Sequence, residues 1–260
     1  MLRWALQGWG CVLLCSVLLA VPIHAQSIDT HDAHGQERRH HGAAHGSAAV
    51  TGWEGSAEGK AYSEFNHHLA GVFVFLIGLT ELRGALGIIP SFAWARLLLP
   101  VFMLAVGTFL IIWSDHEGWP IGSLTFTETF FTGDWETVQH KLFGILLLLI
   151  SGIEWLRRTG RLHHLWWTIP LPVFAVISGL SLFVHTHGEH PAAHNIAFHH
   201  AIMGVMALTA GSSKLISTRS RTDDAGGGMA ARDAAPRSRW ELIWAIFVLL
   251  IGAQLLIYTE

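Results

Sequence analysis

The amino-acid sequence predicts an all-α polytopic membrane protein, with six transmembrane helices built from three hairpins that follow a cleaved signal peptide. Three observations predict this fold class. The chain has 260 residues, of which 51% are hydrophobic and only 13% are charged. Its apolar residues fall in runs of about twenty, the length that crosses a bilayer core. Its positive charges collect on alternate connections between those runs.

The first 25 residues have the features of a secretory signal peptide. Arg3 precedes an apolar core that ends at Val21, and Ala25 stands before a fitting cleavage site. An uncleaved first helix is the alternative. The only two cysteines, Cys11 and Cys15, lie inside this segment, so a cleaved chain contains no disulfide and no thiolate metal site.

Residues 26–60 are rich in His, Gly, Ala and Ser and lack the regularly spaced apolar residues that would form a core. This composition predicts a flexible His-rich periplasmic tail. Residues 61–260 form the predicted transmembrane domain. Its spans are expected at about 67–88, 91–113, 139–157, 165–186, 197–217 and 240–258.

The distribution of charge predicts the orientation of these spans. Eleven Lys and Arg residues flank or fill the connections between spans 1 and 2, 3 and 4, and 5 and 6. By the positive-inside rule these connections are cytoplasmic, including the loop 218–238, and both mature termini are periplasmic. The net charge of −3 gives no support for nucleic-acid binding. The apolar spans make the lipid bilayer the expected partner. The sequence does not predict an oligomeric state.

The motif His-x-x-x-Gly begins the three odd-numbered spans. Residues four apart share a helix face, so each glycine should let a neighbouring helix approach below its histidine. An equally spaced glutamate follows in spans 1 and 3, at Glu81 and Glu154, whereas Lys214 replaces it in span 5. These carboxylates are expected to pair with Arg83 or Arg157 at the inner boundary, and a proton or cation exit is the alternative. The motif histidines are His67, His140 and His200.

Histidines concentrate on the periplasmic side of this topology. Fifteen of the 17 that follow residue 25 lie there, and only His163 and His164 lie on the other side. Imidazole suits copper, zinc, nickel and iron, and a ring of helix ends could bring three or four ligands together. The sequence therefore predicts a transition-metal site. Its candidate ligands are His67, His68, His116, His140, His185, His187, His199 and His200.

Several alternatives accompany the metal site. Met103, Met203 and Met206 could form a pathway that favours Cu(I) over zinc, although methionine is also common in packed membrane helices. Haem b, held between two histidines, is the alternative cofactor to a copper ion, and would make the chain an electron-transfer protein. A membrane scaffold that responds to metal or pH is the third possibility. No nucleophile motif, phosphate-binding loop or His-Glu-x-x-His helix is present, so no enzyme activity is expected.

Part of the chain resembles a known family. Five stretches carry the resemblance: Trp119-Pro-Ile-Gly122, Gln139-His140-Lys-Leu-Phe143, the segment from Ile153 to Leu162, the His-x-His that ends span 4, and the start of span 5. They are similar to the copper resistance protein D family and related bacterial inner-membrane proteins. The resemblance covers roughly residues 115–215. It implies a helical bundle for periplasmic copper handling, either transport, resistance or delivery to a periplasmic copper-binding protein. The matching copper-binding positions are His140, His185, His187 and His200.

Overall fold

The computed structural model describes residues 56–88, 93–131, 135–184, 192–223 and 238–260, which belong to one compact unit. The predicted signal peptide and most of the predicted tail lie outside these residues. All regular elements within them are helical. The α-helices are α1 (Ala57–Leu86), α2 (Leu98–Ile112), α3 (Phe126–Phe131), α4 (Trp135–Arg158), α5 (Pro170–Ser181), α6 (Ala193–Asp223) and α7 (Arg239–Leu256).

Each predicted span coincides with one of these helices, and the short α3 is additional. Helix α1 starts ten residues earlier than predicted because Ser56 caps it: its Oγ accepts a hydrogen bond from the Gly59 amide at 3.0 Å. Helix α6 continues to Asp223, so the predicted cytoplasmic loop begins later than residue 218. Two 3-10 turns, Ala93–Leu97 and Leu165–Thr168, precede α2 and α5.

Prolines occupy the first turn of α2 and α5 rather than their middles. Pro100 is the third residue of α2, and Pro170 and Pro172 are the first and third residues of α5. An amide in the first turn has no partner within its helix, so proline removes no hydrogen bond there. These prolines therefore start regular α-helix after the 3-10 turns.

Four helical segments of the described chain are long and apolar enough to cross a membrane: Ala57–Leu86, Trp94–Ile112, Trp135–Arg158 and Arg239–Leu256. Leu165–Ser181 is a shorter apolar segment, and the 31 residues of α6 have the length but include more polar side chains. Large apolar side chains such as Leu79, Leu104, Leu149 and Leu250 are exposed on the surface of the four long segments. These features indicate a membrane protein, and the exposed side chains are compatible with contact to a lipid bilayer.

The bundle has two polar ends and an apolar middle. The histidine end contains His67, His140 and His200, and the arginine end contains the last turns of α1 and α4 with Arg83 and Arg157. Buried side chains of five helices fill the space between the ends. They are Leu99, Met103, Val106, Leu147, Ile150, Leu171, Ala210, Trp244, Ala245 and Val248.

The motif glycines bring three pairs of helices into close contact. A Cβ atom added at Gly71, Gly144 or Gly204 would lie 2.9, 2.8 and 2.8 Å from Leu255 of α7, Ile111 of α2 and Phe183 after α5, respectively. Seven residues further along α1, α4 and α6 stands another small residue. These residues are Gly78, Ser151 and Gly211. Gly78 packs against Leu249, the Ser151 hydroxyl donates to the Pro100 carbonyl, and Gly211 packs against the Pro172 carbonyl.

The partner helices contribute a glycine of their own to each contact. These glycines are Gly252, Gly107 and Gly179, and a Cβ atom added to them would lie 2.3, 2.9 and 3.0 Å from Phe75, Leu148 and Leu208, respectively. Each of these three neighbours stands eight residues after a motif histidine. The pairs α7–α1, α2–α4 and α5–α6 therefore repeat one packing arrangement. The predicted hairpins paired spans 1 and 2, 3 and 4, and 5 and 6. The glycine contacts instead join spans 2 and 3, 4 and 5, and 6 and 1, while spans 5 and 6 also pack extensively and spans 1 and 2 more lightly.

Candidate functional site

Three imidazoles contact one buried tyrosine at the histidine end, and a fourth lies beside one of them. The ring of His67 stacks on Tyr258 with centroids 4.0 Å apart, and the His199 ring approaches Tyr258 at 5.4 Å. His68 Nε2 lies 2.9 Å from the Tyr258 carbonyl oxygen, and the His67 and His200 ring centroids are 6.5 Å apart. Tyr258 has no exposed surface and His200 is buried. We call these five residues, drawn from α1, α6 and the end of α7, the tyrosine cluster.

Hydrogen bonds orient the side chains of the tyrosine cluster. His67 Nδ1 lies 2.8 Å from the Ser63 carbonyl oxygen, so this nitrogen carries the proton and Nε2 has the lone pair. The Ser63 hydroxyl donates to Glu260, and the Tyr258 hydroxyl donates to the same carboxylate at 3.2 Å. Burial raises the pKa of the Tyr258 phenol, and the nearby carboxylates, Glu260 first, raise it further. The phenol therefore remains protonated and acts as a donor.

A second polar group at the same end contains Asp115, His140 and Lys141. His140 Nδ1 lies 2.9 Å from Asp115 Oδ1, and the ammonium of Lys141 lies 3.1 Å from Oδ2. Lys141 is fully buried and also donates to the Ile111 carbonyl at 2.9 Å. Burial acts to raise the pKa of the Asp115 carboxyl, but the hydrogen bonds from His140 and Ser114 and the Lys141 charge outweigh it, so the pKa is lowered.

These two groups occupy equivalent positions in the helix repeat. Asp115 stands eight residues after Gly107, and Glu260 stands eight residues after Gly252. Each carboxylate is therefore placed beside the motif histidine of the paired helix: Asp115 contacts His140 directly, whereas Glu260 reaches His67 through Ser63. His187 has the same position after Gly179 but lies outside the described residues.

Sequence reasoning missed two of the most connected residues at this end. Tyr258 ends the last predicted span and Glu260 follows it, and neither belongs to a motif that the sequence predicts as functional. The spacing from the packing glycines would have found Glu260, because it matches the spacing of Asp115. Nothing in the sequence singles out Tyr258, whose role depends on the contact between the end of α7 and α1.

The arginine end contains a network of ion pairs centred on Glu81. Its carboxylate accepts from Arg158 Nη2 at 2.8 Å, from Lys214 Nζ at 3.2 Å and from Trp244 Nε1 at 2.9 Å. Arg158 also bonds Glu154 at 3.2 Å. Helices α1, α4, α6 and α7 are thereby connected through one buried carboxylate.

The three repeat positions Glu81, Glu154 and Lys214 meet in this network. Glu154 pairs with Arg157 at 2.6 Å, which is one of the two pairings suggested by the sequence. Glu81 bonds Arg158 and Lys214 rather than Arg83, because these two cations reach it from neighbouring helices. The replacement of glutamate by lysine in the third repeat thus provides a cation for the glutamate of the first.

The remaining predicted residues are distributed over the bundle. Met103 belongs to the buried apolar core, Met203 is buried on α6 and Met206 is half-buried further along the same helix. His116 is exposed, with its ring 6.3 Å from that of Tyr62. The predicted ligands His185 and His187 lie outside the described residues. Within the described ranges, no three His, Cys, Asp or Glu side chains are arranged to hold a metal ion.

Comparison with other proteins gives no family for this chain. No family model, no curated protein and no solved structure matches it. The resemblance to the copper resistance protein D family therefore stays a prediction from the motifs.

Proposed function

We propose that this chain crosses the bacterial inner membrane six times and binds a transition-metal ion, copper, at its histidine end. Both mature termini would then be periplasmic, and the site would serve copper transport, resistance or delivery to a periplasmic copper-binding protein. His67 and His200 are the central ligands of the proposed site. The observation that carries the proposal is the approach of these two imidazoles from different helices, with ring centroids 6.5 Å apart.

The separation of the two rings supports shared binding of one ion. When two imidazoles bind one metal, each nitrogen at about 2 Å from it, their ring centroids lie about 5 Å apart at a tetrahedral angle and about 6 Å apart in a linear pair. The observed 6.5 Å is close to the linear arrangement, so a small approach of the two rings would complete it. His67 also has the hydrogen bond that metal-binding histidines require, because its Nδ1 donates to the Ser63 carbonyl and directs the lone pair to Nε2. One of the two proposed ligands, His67, is thus already oriented for metal binding.

The ligand types favour copper over zinc. Cu(I) is stable with two imidazole ligands, whereas zinc in structural sites takes four ligands. Met203, three residues after His200 on the same helix, is buried below the pair and offers the soft thioether that Cu(I) prefers. The six-span arrangement is supported by the apolar segment Leu165–Ser181 and by the length of α6, in addition to the four long apolar segments.

Copper content of the purified protein tests the proposal. The full chain in detergent is loaded with Cu(I), dialysed and measured for metal per protein, beside His67→Ala/His200→Ala. The matched control is His163→Ala/His164→Ala, which removes two exposed imidazoles at the arginine end. We expect about one copper in the wild type and the control, and its loss in the first variant while helix content is unchanged.

Two results would overturn the proposal. Retention of copper by His67→Ala/His200→Ala would exclude this pair as the site. A Soret band in the wild type that disappears in the same variant would assign the pair to haem b instead.

A further inference from the structure

Four exposed tryptophans lie on α4 or on the two 3-10 turns that contact it, towards the arginine end. Trp94 is 59% exposed, Trp155 42%, Trp166 60% and Trp167 39%. Trp94 belongs to the 3-10 turn before α2, and Trp166 and Trp167 belong to the 3-10 turn before α5. Both turns contact α4, which carries Trp155. We call this surface, together with Arg96 and Arg161, the tryptophan rim.

The tryptophan rim is positively charged and contains no acid. Residues 93–112 and 155–184 include no Asp or Glu. The carboxylates of Glu81 and Glu154 nearby are turned inward, with side chains 9% and 2% exposed, and are neutralised by ion pairs. Arg96 and Arg161 are exposed. An anion approaching this surface therefore meets cations without competing carboxylates.

Backbone hydrogen bonds fix the two segments that carry the rim arginines. Gly160 has φ 75° and closes α4 with a bond from its amide to the Arg157 carbonyl, and the Arg161 amide donates to the Leu156 carbonyl at 2.9 Å. The Arg96 carbonyl accepts from Arg158 Nη1 at 3.1 Å, which ties the first 3-10 turn to the end of α4. The backbone at Arg96 and Arg161 is therefore attached to the end of α4 on both sides.

We propose that the tryptophan rim binds the headgroup of an anionic phospholipid in the leaflet at the arginine end. Tryptophan rings favour the boundary between acyl chains and headgroups, where the indole N–H remains hydrated. Guanidinium groups bind phosphate oxygens in pairs of hydrogen bonds, so Arg96 and Arg161 hold the phosphodiester above the rings. The inference requires that the chain lies in a bilayer and does not depend on metal binding at the opposite end.

Native mass spectrometry of the full chain tests this binding. The protein is released from mixed micelles that contain either phosphatidylglycerol or phosphatidylcholine, and retained lipid is counted. The test variant is Arg96→Gln/Arg161→Gln. The control, Arg83→Gln/Arg239→Gln, removes the same charge from α1 and α7 at the same end. Melting in pure phosphatidylcholine, followed by circular dichroism, verifies that all variants are folded.

We expect the wild type and the control to retain phosphatidylglycerol in preference to phosphatidylcholine. Loss of the two rim arginines should weaken this retention on the order of 30-fold, since each cation near a membrane surface contributes about fivefold. Equal retention of both lipids by the wild type overturns the proposal. So does a test variant that behaves as the control does, because the charge of the whole end would then account for the binding.

Discussion

Replacement of Gly252 by alanine tests the helix repeat at its closest contact. A Cβ atom at this position of α7 would lie 2.3 Å from the Phe75 amide nitrogen and 2.5 Å from its Cα, whereas ordinary contacts begin at 3.4 Å. The neighbour is backbone of α1 and cannot rotate away. Helices α1 and α7 must therefore move apart by about 1 Å, and this movement also loosens the contacts that Gly71 and Gly78 make along the same interface.

The free energy of unfolding should fall by about 2 kcal/mol in Gly252→Ala. Overpacking in a tight interior costs about 1–3 kcal/mol, and a rigid backbone neighbour places this site at or above the upper end. Alanine in place of glycine within a helix offsets about 1 kcal/mol of that cost. Gly152→Ala is the matched control, because a Cβ there meets nothing within 4 Å and only the propensity gain remains. The two variants should therefore differ by about 3 kcal/mol.

Thermal unfolding in detergent, followed by circular dichroism, measures this difference. It corresponds to a gap on the order of 10 °C between the two midpoints for a chain of this size. Equal midpoints for Gly252→Ala and Gly152→Ala would refute the close contact between α1 and α7, and with it the pairing of the first and last described helices.

Three further predictions concern buried charges. Lys141→Met should lower the free energy of unfolding by about 3–5 kcal/mol because it leaves Asp115 buried without its cation, whereas Lys60→Met, at an exposed pair, should change it by less than about 1 kcal/mol in chemical denaturation. Lys214→Glu should destabilise the bundle by several kcal/mol through repulsion with Glu81, and Glu81→Gln/Lys214→Glu, which removes one of the two facing carboxylates, should recover part of the loss; no recovery would mean that the two side chains do not interact. Since the folded pKa of Asp115 is lowered, its stabilising effect is complete above its unfolded pKa of about 3.9 and is lost as pH falls through the folded value, so melting midpoints of Asp115→Asn should lack part of the acid-side decline.

The positions of the helices could be predicted from sequence because each depends on local chemistry. Apolar runs of membrane length, bounded by polar connections, coincide with α1, α2, α4, α5, α6 and α7. Boundaries were less accurate where a cap extends a helix, as Ser56 does for α1. Four long apolar segments are found where six spans are predicted. The 3-10 turn and the prolines at its start shorten α5, and polar residues lower the mean hydropathy of α6.

The partners of each histidine could not be predicted, because they come from distant parts of the chain. His67 and His140 have the same position in the repeat motif, yet His67 stacks on Tyr258 and His140 bonds Asp115. The difference arises from the helix paired with each of them, α7 in one case and α2 in the other. Periodicity within one segment contains no information about that choice.

The glycine register explains why the first and last described helices meet. In α2–α4 and α5–α6 the helix that contributes Gly107 or Gly179 stands before the motif helix in the chain, with only the short α3 between α2 and α4. Helix α1 has no such partner before it among the described helices, and α7, whose Gly252 fits Phe75, occupies that place from the other end of the chain. Residues that follow α7 consequently stand where Asp115 stands after α2, which brings Tyr258 against His67 and Glu260 against Ser63. The proposed copper site therefore depends on a contact between α1 and α7, the two described helices that are farthest apart in the sequence. Loosening that contact with Gly252→Ala should weaken copper binding as well as stability.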